Sequence, residues 1–366
     1  MRFSLPREAL LKPLQQVVGV VERRQTLPVL ANLLAVVDAG RVSLTGTDLE
    51  VEMVATVAAD DWEAGEITIP ARKMFDICRA LPDGVRIDVK LSGERVTVNA
   101  GRSRFTLATL PASEFPVIDN IELVERVSLP EATLKELMDR TAFAMAHQDV
   151  RYYLNGMLLD LRDNALRCVA TDGHRLALAE TSVDARVSAR RQIIIPRKGV
   201  LELQGLFEAG DGTVELEFGR NHLRVRRGEV QFTSKLIDGR FPDYEAVIPI
   251  GADKEVRIGR DELRAALQRA AILSNEKYRG VKLEVGANRL RIVAHNPEQE
   301  EAIEELEAGT NVDDLGVGFN VNYLLDALGA LPGSDVVMCL RDSHSSCLIR
   351  NADSERSRHV IMPLRL

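Results

Sequence analysis

Residues 170–177 read ATDGHRLA and carry the side chains of acid–base chemistry. The carboxylate of Asp172 stands two positions before the imidazole of His174, and the guanidinium of Arg175 follows directly. These groups could hold and move a proton at an active site if a nucleophile or a metal ion accompanied them. The first question is therefore whether the chain supplies such a partner.

No motif that would complete such a site occurs in the sequence. It contains no GxSxG elbow, no Walker loop, no HExxH and no GxGxxG. The side chains of cysteine and histidine can bind zinc, and the chain has four of them at Cys339, His344, Cys347 and His359. Their spacing matches no zinc finger, however, and the segment alternates like a strand. We therefore expect no catalytic residue, no metal ion and no cofactor.

Length and composition indicate a large soluble protein with aliphatic cores. The 366 residues suit two or three domains, 45% of them are hydrophobic and only 4% are aromatic. The net charge of −8 argues on its face against a nucleic-acid-binding protein. The four cysteines form no CxxC pair, which predicts buried reduced thiols. The sequence has no signal peptide and no apolar run of about 20 residues, so we expect a cytoplasmic protein.

A repeat organises the chain. Three alternating, β-branched segments each end in a turn-favouring side chain, and Asp48, Asp172 and Asn296 are spaced 124 residues apart. An amphipathic helical pattern precedes each segment, over residues 9–24, 133–151 and 262–280, and a second helical pattern follows over residues 70–81, 196–207 and 319–331. The sequence predicts an α+β fold of three tandem repeats, with boundaries at 1–125, 126–250 and 251–366.

The repeat changes the interpretation of ATDGHRLA. An acid that recurs as Asp48 and as the amide Asn296 is better explained as a turn residue, because such side chains bond the nearby backbone. His174 has no such counterparts, since Glu50 and Glu298 stand at its position in the other repeats. Whatever His174 and Arg175 do, only the middle repeat does it.

Charge is distributed unevenly along the repeats. Basic residues recur at matching places, at Arg72 and Lys73 and again at Arg197 and Lys198, where the second helices begin. Residues 298–307 carry six glutamates, a pattern typical of a solvated helix or strand edge. An acidic protein can still be basic on one concave surface, and three such repeats could form an arc or, as a dimer, a closed ring of six units.

The motifs ATDGHRLA, HQDVRYYLNG, SKLIDGRFPDY, AAILSNEKYRG, NPEQEEA and VIMPLRL, in this order and spacing, closely resemble the bacterial DNA polymerase III β subunit family, the sliding clamps. The resemblance covers the whole chain. It implies the DNA-clamp fold, with helices lining a hole and antiparallel sheets outside, closing as a homodimeric ring around double-stranded DNA. It further implies a non-catalytic processivity subunit that tethers the replicative polymerase and also binds clamp-loader subunits and other replication and repair proteins.

The resemblance also assigns site residues. The positions that match DNA-contacting residues are Arg24, Arg72, Gln148, Tyr152 and Tyr153, and the basic helix starts add Arg197 and Lys198. The dimer contact matches Lys73, Arg102, Arg104, Phe105 and Leu107 on one face and Ile272, Leu273, Glu298, Glu300, Glu301 and Glu304 on the other. A groove for client peptides matches Leu154, Thr171, Gly173, His174, Arg175, Leu176, Pro242, Val247, Tyr278, Asn320, Tyr323, Ser346, Val360, Ile361, Met362, Pro363, Leu364, Arg365 and Leu366.

Two alternatives remain open on the residues alone. One is an enzyme that uses Asp172, His174 and Arg175 in a cleft, which would need a nucleophile or metal that the sequence does not offer. The other is a monomeric repeat scaffold that binds proteins only. The mass in solution separates such a scaffold from a dimer.

Overall fold

The computed structural model describes residues 1–22, 27–118, 121–184, 189–207, 210–312 and 314–365. The chain folds into two compact units, the first comprising Met1–Ala132 and Leu201–Leu236 and the second Thr133–Val200 and Ile237–Leu366. The predicted second repeat is thus shared between the two units. The boundaries after residues 125 and 250 express the period of the sequence and stay a prediction.

Six α-helices lie in the described residues, two for each predicted repeat: α1 (Arg7–Val20), α2 (Ala71–Ala80), α3 (Glu131–Asp139), α4 (Arg197–Leu206), α5 (Arg260–Ala271) and α6 (Val321–Ala330). Helices α2, α4 and α6 lie within two residues of their predicted ends. Pro70 and Pro196 immediately precede α2 and α4 instead of standing in the first turn, and proline there costs no intrahelical hydrogen bond. No helix in the described ranges combines the length and apolar character needed to cross a bilayer.

The first helix of the second repeat is shorter than its periodic pattern predicts. Helix α3 ends at Asp139, and the residues up to 154 contain only two short 3₁₀ turns. The hydroxyl of Thr141 donates to the carbonyl of Leu137 at 2.8 Å and so takes a backbone acceptor near the helix end. Such side-chain bonds compete with helix propagation, which periodicity does not reveal.

The first helix of the third repeat ends early for the same physical reason. Helix α5 ends at Ala271, and the hydroxyl of Ser274 donates to the Ala271 carbonyl at 2.8 Å. The side-chain oxygen of Asn275 then accepts from the backbone N–H of Lys277 at 2.9 Å, which builds a turn where the pattern predicted helix.

The described residues contain 26 strands. They are β1 (Arg2–Pro6), β2 (Asn32–Asp38), β3 (Arg41–Thr47), β4 (Val51–Ala58), β5 (Asp61–Glu63), β6 (Gly65–Pro70), β7 (Arg86–Ser92), β8 (Arg95–Ala100), β9 (Ser103–Ala108), β10 (Leu123–Pro130), β11 (Gly156–Arg162), β12 (Ala165–Thr171), β13 (Arg175–Ser182), β14 (Arg191–Pro196), β15 (Thr213–Gly219), β16 (His222–Arg227), β17 (Val230–Lys235), β18 (Lys254–Gly259), β19 (Gly280–Gly286), β20 (Arg289–His295), β21 (Glu301–Glu307), β22 (Gly309–Thr310), β23 (Asp314–Asn320), β24 (Asp335–Leu340), β25 (Cys347–Asn351) and β26 (Ser354–Ile361).

Four sheets contain these strands. The first unit holds a five-stranded sheet (β5-β1-β7-β8-β9) and an eight-stranded sheet (β10-β15-β16-β17-β4-β3-β2-β6). The second unit holds a nine-stranded sheet (β14-β11-β12-β13-β26-β25-β24-β18-β22) and a four-stranded sheet (β21-β20-β19-β23). Together with the helices they confirm the predicted α+β class.

Successive repeats are joined by strand pairing. Strand β4 of the first repeat pairs with β17 of the second, with Met53 opposite Phe232. Strand β13 of the second repeat pairs with β26 of the third, with Ala177 opposite His359. Both pairs are antiparallel, and they fuse what the sequence presents as separate repeats into two extended sheets. Strands β9 and β21 each stand at the end of a sheet.

The predicted turn residues are confirmed. In each repeat a side-chain oxygen accepts from backbone N–H groups just beyond it: Asp48 from Glu50 and Val51, Asp172 from His174 and Arg175, and Asn296 from Glu300, at 2.7–3.0 Å. Asparagine performs the same task as aspartate because a carboxamide oxygen accepts these bonds equally well. The negative charge of Asp172 is thus not what its position requires.

The cores are aliphatic, as the composition predicts. In the third repeat, Leu263 and Leu267 of α5 pack with Leu324 and Leu328 of α6 against the four-stranded sheet, at the four-residue spacing of a helix face. The four cysteines are free and buried, which confirms the predicted reduced thiols. Burial raises the pKa of the Cys168 thiol.

One buried titratable group lies in the second seam. His359 is 1% exposed, and its ring stacks on Phe143 with the ring centres 5.4 Å apart. Burial, reinforced by the positive charges of Arg140 and Arg175, lowers the pKa of His359 to about 3. The folded protein therefore keeps this imidazole neutral under mildly acidic conditions.

We predict that His359→Phe makes the free energy of unfolding less dependent on pH under acidic conditions. An unfolded histidine titrates near pH 6.5, so between about pH 6.5 and 3 the unfolded chain binds a proton that the folded chain does not. Wild-type stability should fall as the pH is lowered through this window, by up to about 1.4 kcal/mol per pH unit from this group. Denaturant unfolding of both proteins between about pH 7 and 5 measures the slopes, and equal slopes would contradict the prediction.

Candidate functional site

The ATDGHRLA turn links β12 to β13 and is fixed by its own side chains. Both carboxylate oxygens of Asp172 are used, since Oδ1 accepts the two backbone bonds and Oδ2 accepts from Arg175 Nε at 3.1 Å. Gly173 has a φ of +88°, and a Cβ there would lie 2.8 Å from a guanidinium nitrogen of Arg151. The left-handed backbone conformation at this position therefore favours glycine, whereas the flexible end of the Arg151 side chain can move aside.

His174 and Arg175 face the aromatic ring of Tyr323. The Arg175 guanidinium lies 4.5 Å from the ring centre of Tyr323, and it donates to Asp326 at 2.5 Å and to the carbonyl of Phe143 at 3.0 Å. The exposed ring of His174 lies 6.5 Å from the ring of Tyr323. Arg175 is thus committed to holding its neighbours, an arrangement suited to binding and not to proton transfer.

An apolar cluster lies next to His174 and Arg175. Leu154, Leu176 and Val360 are buried together, and Val247 packs against them while remaining partly exposed. These four residues come from four different segments of the second unit, and all four belong to the groove that the resemblance assigned. Apolar side chains beside a few oriented polar groups are the usual lining of a ligand pocket, and Val247 is the one of these four that is partly exposed.

The C-terminal tail crosses between two sheets of the second unit. The N–H of Met362 donates to the His174 carbonyl at 2.9 Å, and the N–H of Leu364 donates to the Gly318 carbonyl at 2.8 Å. Pro363 between them has no N–H to satisfy. The side chain of Met362 is 42% exposed beside the turn, and Leu366 lies outside the described residues.

The remaining predicted groove residues are less concentrated. Tyr278, 57% exposed, lines with Leu364 and Arg365 a cavity of about 680 Å³ over the outer face of β19 and β20. Asn320 caps α6 by accepting from the N–H of the second residue of the helix. Thr171 and Ile361 are buried, Ser346 is half-buried and Pro242 is exposed.

The predicted DNA-contacting residues lie on separate elements. Arg24 lies outside the described residues. Arg72 donates to the carbonyl of Val21 at 2.8 Å, and Arg197 donates to the carbonyl of Met145 at 3.3 Å. Bonds to neutral carbonyls do not cancel the charge of a guanidinium, so both side chains still carry positive charge at the start of a helix.

The other predicted DNA contacts lie near one loop and at the start of α4. Gln148 is exposed with a φ of +55°, and Tyr152 is 56% exposed with its ring edge-on to Tyr153 at 5.7 Å. Lys198 is half-buried in the first turn of α4. The helical pattern had extended over residues 133–151, so it predicted a helix at Gln148 and gave no indication of the tyrosine pair.

The predicted dimer contacts fall on two strand edges. On the β9 side, Arg102 and Arg104 are exposed, Phe105 is half-buried and Leu107 is buried, and Lys73 is exposed on α2. The acidic run, expected to be a solvated helix or strand edge, forms β21 at the end of its sheet.

Beside β21 the structure exposes an apolar side chain. Ile272 is 77% exposed and Leu273 is half-buried. Glu298, Glu300 and Glu301 are exposed, whereas Glu304 accepts from Arg269 at 2.8 and 2.6 Å, bonds that lower the pKa of this carboxyl.

Sequence reasoning missed a second set of polar groups, around Tyr244 and Asp160. These two residues are 1% and 0% exposed, and the phenol donates to the carboxylate at 2.5 Å. Their separation of 84 residues leaves no local signal in the sequence. Over the ranges that the structure covers, no group of three or more His, Cys, Asp or Glu side chains could hold a metal ion.

Fold and surfaces together define a tandem-repeat binding protein whose repeats associate through strand edges. Models of the DNA polymerase III beta subunit match three successive stretches: the N-terminal domain at residues 1–119, the central domain at 128–243 and the C-terminal domain at 245–365. The chain is 54% identical to the beta sliding clamp of Pseudomonas aeruginosa and 52% identical to that of Escherichia coli K12, over all of each chain. A crystal structure of the Pseudomonas aeruginosa DNA polymerase III subunit beta superposes with a TM-score of 0.98 over both full chains at 54% identity.

The chain therefore belongs to the DNA polymerase III beta subunit family. It is a DNA sliding clamp, a processivity factor for DNA replication and not a catalytic subunit. The resemblance seen in the sequence is confirmed, and the enzyme hypothesis for ATDGHRLA is rejected by both the geometry and the family.

Proposed function

We propose that two copies of this cytoplasmic protein close head to tail into a ring of six repeats around duplex DNA, which tethers DNA polymerase III and carries peptide segments of other clients. One observation carries the proposal. Strands β9 and β21 each end a sheet. Their equivalents are paired in the two seams, where β17 (equivalent to β9) pairs with β4, and β26 (equivalent to β9) pairs with β13. A second copy would satisfy both edges by repeating the same seam.

The equivalence of β4, β13 and β21 rests on their pairing with the strand before each turn. In each repeat one residue of these strands lies opposite the residue two positions before the turn residue: Met53 opposite Gly46, Ala177 opposite Ala170, and Ala302 opposite Ala294. Met53, Ala177 and Ala302 thus occupy one structural position.

This equivalence predicts the register of the third seam. Met53 and Ala177 lie opposite Phe232 and His359 in the two seams of the chain. Phe105 is the counterpart of Phe232, since both follow the same hairpin turn and face the same valine position on the preceding strand. Ala302 should therefore lie opposite Phe105 of the partner subunit.

Packing beside the second seam indicates what the exposed Ile272 contacts. Phe143 and Ile272 stand at the same distance from the first residues of α3 and α5, and Phe143 stacks on His359 at 5.4 Å. Ile272 should then pack on Phe105 of the partner subunit. Burying this side chain would supply apolar contact at the centre of the interface.

Charge on the two edges is complementary. In the predicted register Arg104 lies opposite Ile303 of the partner subunit, with Glu301 and Glu305 as diagonal neighbours on the same face. Such opposite charges mainly speed association and fix the register, while apolar burial supplies most of the affinity.

DNA contacts in such a ring need only be weak. Arg24, Arg72, Arg197, Lys198 and Gln148, with the exposed tyrosine ring at position 152 and its neighbour Tyr153, offer contacts to phosphates and sugars, which carry no sequence information. The ring's topology, and not affinity, would keep it on DNA.

The groove beside ATDGHRLA would take short client peptides with two or three apolar anchors. The cluster of Leu154, Leu176, Val247 and Val360 offers the apolar subsite, and Met362 can adapt its shape to different side chains. Anchors worth about 2 kcal/mol each, less the entropic cost of binding, correspond to roughly micromolar affinity.

The interface predicts a specific disulfide. Arg104→Cys with Ile303→Cys should give covalent dimers under mild oxidation, because directly opposed residues of antiparallel strands lie about 4.5–5.5 Å apart, within disulfide range. Arg104→Cys with Ala302→Cys, shifted by one residue to the other face, is the matched control. Non-reducing electrophoresis separates the outcomes, and crosslinking of the control alone would refute the register.

Loss of the apolar contact should separate the copies. Ile272→Ala with Leu273→Ala should give folded monomers, because each side chain contributes up to about 1.5–3 kcal/mol when buried. Sedimentation at micromolar concentration measures the mass. A wild-type protein that sediments as a monomer would instead favour the alternative of a monomeric scaffold that binds proteins only.

The topological account predicts retention on circles. Clamps loaded onto nicked circular DNA by the clamp loader should co-elute with the circle in gel filtration and dissociate when a restriction enzyme cuts it. Arg72→Ala with Arg197→Ala should reduce loading. Arg257→Ala, which removes an exposed side chain on β18 that pairs with Asp335 at 3.4 Å, should not. Tight, salt-insensitive binding to short linear duplex would contradict this account.

Removal of the tail should abolish client binding and leave the dimer intact. Deleting residues 362–366 removes the Met362 side chain and the bonds to the His174 and Gly318 carbonyls. Fluorescence anisotropy with a labelled peptide from the C-terminal tail of the polymerase catalytic subunit measures binding. Equal affinity of the full-length and truncated proteins would reject the groove.

A further inference from the structure

We propose that a polar cluster around the buried Tyr244 positions one wall of the client groove and so controls the affinity for client peptides. The Tyr244 cluster consists of Tyr244, Glu245, Asp160, Arg162, Arg167 and Arg190. The wall is the segment from Pro242 to Val247. The inference rests on the groove assigned above and adds residues that lie behind it and do not touch the peptide.

The wall has one buried anchor. From Pro242 to Glu255, Tyr244 alone is buried, and the other residues are exposed or half-buried. Its ring packs in the apolar cluster with Leu176 and Val360, directly behind the groove. The position of Val247 therefore depends on how Tyr244 is held.

The phenol of Tyr244 ends on a fully buried carboxylate. Its hydroxyl donates to Asp160 Oδ2 at 2.5 Å, while Arg190 Nε donates to Oδ1 at 2.8 Å and Arg162 Nη2 donates to Oδ2 at 2.9 Å. Burial opposes ionisation of Asp160, but the bonds from Arg190, Arg162 and Tyr244 prevail and lower its pKa to about 2. The acceptor is thus ionised throughout the physiological pH range.

Glu245 adds a second attachment next to the first. Its two carboxylate oxygens accept from Arg162 at 2.9 Å and from Arg167 at 2.8 Å. The N–H of Val247 donates to the Tyr244 carbonyl at 3.2 Å and closes a short 3₁₀ turn. Two consecutive anchored residues thus fix the turn that presents Val247 to the groove.

Both attachments run to β-strands of a single sheet. Asp160 and Arg162 belong to β11 and Arg167 belongs to β12, while Arg190 immediately precedes β14. β12 also leads directly into the ATDGHRLA turn. The cluster therefore attaches the wall to the sheet whose β12–β13 turn carries His174 and whose strand β13 carries Leu176.

The test separates positioning from general stability. Tyr244→Phe keeps the packed ring and removes only the hydroxyl, so it leaves no cavity. We expect the dissociation constant of the labelled polymerase-tail peptide to rise about three- to tenfold, with the dimer and circle retention unchanged. Asp160→Asn should weaken peptide binding in the same direction.

A matched control exists in the other compact unit. Glu217 is a 1% exposed carboxylate that accepts from Arg126 at 2.7 Å and from Arg226 at 3.3 Å, on a sheet that contributes nothing to the groove. Glu217→Gln should lower the melting temperature as Asp160→Asn does, but leave peptide affinity unchanged. Equal loss of peptide affinity in both variants would show that Asp160→Asn weakens binding only by destabilising the protein, and would overturn the inference.

A double-mutant cycle completes the test. If Tyr244 acts through Val247, then Val247→Ala should cost less in the Tyr244→Phe background than in the wild type, whereas Met362→Ala, on the tail, should cost the same in both. Additive effects with Val247→Ala, or unchanged peptide affinity of Tyr244→Phe, would overturn the inference and leave the groove intact. Failure of the wild type to bind the peptide would overturn the groove itself, and the inference with it.

Discussion

Antiparallel pairing between strands of successive repeats is the interaction on which the rest of this structure depends. Each seam satisfies the backbone groups of two strand edges at once and turns smaller sheets into one continuous sheet. Every repeat contributes one strand equivalent to β4 and one strand equivalent to β17. A linear series of repeats therefore always leaves one strand of each of these two kinds unpaired. The two seam strands left unpaired are β9 and β21, and closure with a second copy, as we propose it, would use the same bonds that build the chain.

The repeats separate what the fold requires from what function adds. The turn residue is retained as Asp48, Asp172 and Asn296, because its backbone bonds are needed in every repeat. The residue two positions later is free to differ, and only in the middle repeat is it a histidine, which lies beside the ring of Tyr323. The groove that we propose thus lies where a uniform scaffold tolerates change, and ATDGHRLA resembles an active site without being one.

Local signals allowed much of this to be predicted from the sequence. The period, the turn residues and the second helices follow from spacing and side-chain type over a few residues. The ends of α3 and α5 were predicted wrongly, because Thr141 and Asn275 redirect backbone bonds in a way that apolar periodicity does not register. The seams and the Tyr244 cluster depend on contacts between distant residues such as Asp160 and Tyr244, and no single stretch of sequence contains them.

The charge on the two remaining edges explains how the chain can expose them safely. An unpaired strand edge invites association with any other edge, and two β21 edges would bring rows of glutamates together and repel. In the interface that we propose, the β9 edge, with Arg102 and Arg104, would attract β21 and would repel another copy of itself. These charges favour the head-to-tail pairing that we propose, which gives a closed ring when the rotation between copies matches that of the internal seams.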